Sequence, residues 1–171
     1  GWRDEDEDDD EDEDADEDAD EAEDESQSKL ASAEYYVTRG KLRDVDEAVG
    51  AAGGITALYV ASERGSAGIV KGLLAAGANV DKADDDGTTP LYMASEHGHV
   101  EVVRALMSAG ADVDKADDAG TTPLYMASEH GPVEVVRGLM SAGADVDKAD
   151  DVGATPLLEA SKGHVEVVRA L

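Results

Sequence analysis

Four histidines, His97, His99, His130 and His164, and several aspartate-rich stretches such as "DKADDDG" at Asp81 to Gly87 are the side chains best suited to chemistry here. The "HGH" at 97 to 99 raises a transition-metal site, because neutral imidazole is a common ligand. Zinc needs three or four such ligands, and the chain has no Cys to complete a set. A near copy of the same stretch has Pro132 where His99 stands, so the repeat does not require the imidazole. The aspartates raise calcium instead. Placing Gly87 at the sixth position of an EF-hand loop puts Lys82 first and Met93 twelfth, where Asp and Glu are needed. What remains is weak, diffuse cation binding by a solvated cluster. There is no thiol nucleophile, no Gly-x-Ser-x-Gly elbow and no phosphate-cradling glycine loop. With no nucleophile, base and oxyanion set, the chain reads as non-catalytic, and neither cofactor nor metal is expected.

The elements that carry these residues repeat. Glycines at 54, 87, 120 and 153 open segments at a constant spacing of 33, and 87–119 differs from 120–152 at three positions only. A fixed period of this length means stacked supersecondary units. In the second segment, Thr89 can cap free N–H groups and Pro90 suits the first helical position, predicting a helix through "LYMASEH" that ends at Gly98. A second helix, "VEVVRALMSA", closes at Gly110, with Val100, Val103, Leu106 and Met107 predicted as its apolar stripe. The polar "ADVDKADDAG" that follows suits an extended turn. Glu101, Glu134 and Glu166 fall in the first turn of each second helix, where they favour the helix dipole. Of the differences between the close copies, Pro132 falls where a missing N–H does no harm, whereas Gly138 for Ala105 costs about 1 kcal/mol inside a helix. Stacking hides apolar faces that a single helix pair leaves open, so the fold class expected is an all-α solenoid.

The period, "TPLYMA" with its variants "TALYVA" and "TPLLEA", and "GHVEVVRAL" with "GADVD" resemble ankyrin repeats over residues 54–171. The resemblance implies helix-turn-helix repeats with projecting β-turns, at 54–86, 87–119, 120–152 and an incomplete 153–171. Residues 28–53 keep a helix, Gly40, helix pattern with a shortened turn and read as a degenerate N-terminal repeat or cap. One departure is that Tyr59, Tyr92, Tyr125 and Leu158 follow "TPL" or "TAL", where the family has a histidine that ties repeats together. Tyr can reach a partner with its hydroxyl, and Leu158 cannot. Asp84, Asp117 and Asp150 match a structural turn position. The resemblance further implies a concave partner-binding face on the turns and first helices. Its candidates are Ile55, Glu63 and Arg64 in the first copy, and Asp85, Asp86, Thr88, Glu96 and His97 across the next turn and helix. The third copy offers Asp118, Thr121, Glu129 and His130, and the fourth Asp151, Val152, Ser161 and Lys162.

Charge narrows the partner. Residues 4–25 hold nineteen of the 42 acidic residues, and the net charge is −28. So charged a stretch cannot bury enough apolar surface to order itself, which makes residues 1–27 an expected disordered acidic tail. Phosphate backbones and acidic membranes are poor partners for such a surface, so neither nucleic acid nor membrane binding is expected. The reading is a monomeric interaction scaffold for a protein with a basic surface. Alternatives are a regulatory or substrate-recruiting segment of a larger kinase or ubiquitin ligase, or an acidic-tail chaperone for basic proteins. The absence of cysteine fits an intracellular location, cytoplasmic or nuclear. The chain opens at Gly1 and stops in mid-pattern at "VEVVRAL", so it also reads as a segment of a longer array.

Overall fold

Each "T-P-L" or "T-A-L" starts a helix for a local reason visible in the structure. Thr56, Thr89, Thr122 and Thr155 sit in extended backbone, and their Oγ1 atoms accept from the N–H three residues on at 3.1 to 3.3 Å. Such a cap is worth about 1 kcal/mol. The computed structural model describes Val45, Asp46 and residues 53–171. The acidic tail at 1–27 and nearly all of the 28–53 segment lie outside the described residues.

Among the described residues there are eight helices and no strand: α1 Ala57–Glu63, α2 Ala67–Ala75, α3 Pro90–Glu96, α4 Val100–Ser108, α5 Pro123–His130, α6 Val133–Ser141, α7 Pro156–Ala160 and α8 Val165–Val168. They stack as antiparallel pairs in two layers, odd helices on odd and even on even. The odd helices contact one another more extensively than the even ones do. No described helix is long and apolar enough to cross a membrane.

The core repeats as the sequence does. Leu58, Leu91 and Leu124 on the odd layer and Leu73, Leu106 and Leu139 on the even layer are fully buried, each contributing about 2 kcal/mol of transfer free energy. The stripe expected on the second helix was too narrow. Val102 is buried beside Val103 and Leu106, whereas Val100 and Met107 are only half-buried. The reason is tertiary: α4 packs on α3 and also on α2 and α6, so more than one face leaves solvent.

One interhelical bend shows how a residue change is absorbed. In the first two copies the N–H of Ser66 or His99 returns to the carbonyl of Ala61 or Ala94 at 2.9 and 2.8 Å. Pro132 has no N–H, and the carbonyl of Ala127 accepts from Gly131 instead at 3.0 Å, which extends α5 by one residue to His130.

Val45 and Asp46 form a turn, not part of the helix suggested by the pattern after Gly40. Asp46 Oδ1 accepts from Asn79 N at 2.9 Å, as Asp81 does from Asp112 N at 3.0 Å and Asp114 from Asp145 N at 2.9 Å. Asp46 thus stands to Asn79 as Asp81 does to Asp112 and Asp114 to Asp145.

Candidate interaction surface

The projecting turns are built around one aspartate each. Asp84 Oδ1 accepts from the N–H of Asp86 at 3.1 Å and of Thr88 at 2.8 Å. Asp117 does the same with Ala119 and Thr121, and Asp150 with Val152 and Ala154. Successive turns are joined through backbone: Asp118 N donates to Asp86 O and Asp151 N to Ala119 O, both at 3.0 Å. Gly87 serves this junction. Its φ is +80°, and a Cβ there would lie 2.9 Å from Asp118 Oδ1 and 3.0 Å from its nitrogen, so only glycine fits. Lys115 and Lys148 add a second link, donating to the carbonyls of Asp81 and Asp114 at 2.7 and 2.6 Å.

The tyrosines lock the first helices to these turns. The Tyr59 hydroxyl bonds to Asp84, Tyr92 to Asp117, and Tyr125 to Glu159 and Asp150. Burial, with the adjacent carboxylates, pushes all three phenols above their ordinary value of 10.0. A phenolate would lose its hydrogen bond and face a carboxylate at once. Leu158, in the fourth copy, is about half exposed.

The histidines are placed structurally. His99 Nε2 donates to Glu63 O at 2.8 Å, and His97 Nδ1 to Met93 O at 3.0 Å, with the two rings stacked 5.8 Å apart. His130 Nδ1 donates to Met126 O at 3.1 Å. Among the described residues, no group of three or more His, Asp or Glu is arranged to hold a metal ion.

The expected surface residues fall into distinct groups. Asp85, Asp86, Asp118, Asp151 and Val152 are exposed on the turns, with Val152 88% exposed. Glu129 and His97 are exposed on or beside the odd helices, as is His130, while Glu63, Arg64 and Glu96 are half-buried. Ile55 and Thr88 are also half-buried. Thr121 is buried at the base of the turn, where its N–H and carbonyl both bond Asp117. Ser161 is exposed but donates to Leu158 O at 2.6 Å, and Lys162 is committed to Glu159 at 2.5 Å.

Glu159 was missed from sequence. It takes the place of Met93 and Met126 and is 3% exposed. The signal was there: Pro156 to Gly163 is one residue shorter than Pro123 to Gly131. Lys162 stands three residues after Glu159, one helical turn away, where the preceding copy has Glu129.

The family model described as "Ankyrin repeats (3 copies)" matches residues 30–117 and 113–171. A search of the curated proteins gives no match to the chain.

Proposed function

The chain belongs to the ankyrin repeat family, whose members are generally protein-interaction modules, and on that premise we propose that it is a non-catalytic scaffold that binds a protein partner with a basic surface. The partner lies along the odd-helix side and the turns. The observation that carries this reading is the recurrence of carboxylates at equivalent surface positions of successive repeats. Asp85, Asp118 and Asp151 line the turns, and Glu63, Glu96 and Glu129 line the odd helices. A regular row of one charge attracts an oppositely charged partner and steers its approach. Few aromatic anchors accompany it, so binding should be fast and sensitive to salt.

The test is affinity capture from lysate with three proteins: the whole chain, a variant lacking residues 1–27, and the whole chain carrying Asp118→Lys and Glu129→Lys. The same captured protein is expected with the first two and not with the third. If capture requires residues 1–27 and ignores the two reversals, the tail is the binding element and this reading fails.

A further inference from the structure

Glu159 is a buried carboxylate in an array whose other copies place methionine there. Its side chain is 3% exposed, against 8% for Met93 and Met126. The charge is compensated: Lys162 Nζ lies 2.5 Å from Glu159 Oε2, and the Tyr125 hydroxyl of the preceding repeat bonds to the same carboxylate. Two departures from the repeat pattern therefore answer one another. The glutamate introduces a buried charge, and a lysine three residues on, where the preceding copy has Glu129, lies within reach of it. The third member, Tyr125, is ordinary in sequence and belongs to α5, against which α7 packs.

We propose that Glu159, Lys162 and Tyr125 form a charge latch that holds the last helix pair on the third repeat and releases it when Glu159 takes up a proton. The groups facing Glu159 are Lys162 in the bend after α7, Tyr125 on α5 and Asp150 in the preceding turn. On α8, Glu166 and Arg169 pair with each other in solvent at 2.6 Å. The pair α7 and α8 is short and partly exposed, held otherwise by buried Pro156, Ala160 and Val167 and by the Asp151 N bond to Ala119 O. These helices have five and four residues, and Leu157, Leu158 and Val165 are half exposed or more. Release would open the sides of α5 and α6 on which α7 and α8 pack, one repeat upstream. This device is independent of which partner the odd-helix surface takes.

The direction follows from the site. The Lys162 hydrogen bond, opposed by burial and assisted by Tyr125, holds the carboxyl below its ordinary value of 4.5. Docking stabilised in this way is complete above that value and weakens as pH falls through the lower, folded-state value. Without Lys162, burial and Asp150 outweigh the tyrosine, and the dependence inverts.

Hydrogen exchange on the whole chain tests this, comparing protection of residues 153–171 with that of 87–152 in the same molecule between neutral pH and about pH 3.5. The ratio is expected to fall in the unmodified chain. It should stay constant in Glu159→Met and rise on acidification in Lys162→Met. Equal falls in the unmodified chain and Glu159→Met overturn the latch. If Glu159→Met proves unprotected at every pH, Lys162→Met decides: a fall like that of the unmodified chain also overturns it.

Discussion

His99 reaches back across a repeat junction to Glu63: its Nε2 donates to the Glu63 carbonyl at 2.8 Å, 36 residues upstream. The imidazole lies over Gly65, where a Cβ would stand 2.6 Å from Nδ1. At the next junction the equivalent residue is Pro132, which has no side-chain donor. Two junctions between closely similar repeats therefore differ by one side-chain hydrogen bond.

His99→Ala should lower stability by about 1 kcal/mol, the net worth of one hydrogen bond plus some packing. Pro132→His should recover a comparable amount at the neighbouring junction. Urea unfolding measures both. A change in His99→Ala no larger than an ordinary surface substitution, about 0.5 kcal/mol, would mean that the bond contributes nothing.

Gly138→Ala should stabilise the chain by about 0.5 to 1 kcal/mol. The residue lies inside α6 with ordinary helical backbone, and a Cβ there would meet only Met107 Cε at 3.7 Å, an ordinary contact. Alanine removes the glycine's extra unfolded-state entropy at no steric cost. The thermal midpoint should rise, and a decrease would show that the groove beside Met107 has no room for the added methyl.

Adjacent aspartates should behave differently. Asp117→Ala removes the acceptor of two backbone N–H groups and of the Tyr92 hydroxyl, which should cost about 2 kcal/mol. Asp118→Ala, exposed at the turn, should cost less than about 0.5 kcal/mol while weakening partner binding. Parallel unfolding and binding measurements separate the two, and equal losses of stability would contradict the division of labour.

Alkaline pH should unfold the array through its tyrosines. Burial and the neighbouring carboxylates raise Tyr59, Tyr92 and Tyr125 above 10.0, so the folded state keeps protons that the unfolded chain releases. Stability is full below pH 10.0 and declines as pH rises beyond it. Phenolate absorbance should therefore appear together with loss of helical circular dichroism. In Tyr92→Phe the decline should be shallower, at the expense of about 1 kcal/mol at neutral pH. Phenolate formation that precedes any loss of helix would argue against the Tyr92 to Asp117 link.

The fold was legible because its signals are local and recur. Thr89 and Pro90 mark a helix start from chemistry within four residues, and two further copies of the pair, with Thr56 capping before Ala57 in the first repeat, leave little ambiguity. The turn role of Asp84, Asp117 and Asp150 was legible for the same reason, since each bonds N–H groups two and four residues on. Burial was less legible. Val102 leaves solvent on a helix that packs against α2 and α6, about one repeat away on either side, which no window on the second helix contains.

By itself the sequence determined the period, the helix pairs, their caps and the charge of the surface, because each depends on contacts within a few residues or on composition alone. Only the tertiary structure decided that His99 belongs to Glu63, that Tyr125 shares a carboxylate with the last repeat and that Lys162 is spent on a buried Glu159. Those pairings cross repeat boundaries or depend on residue changes confined to one repeat. Their energetics come from desolvation, which exists only once the repeats have stacked.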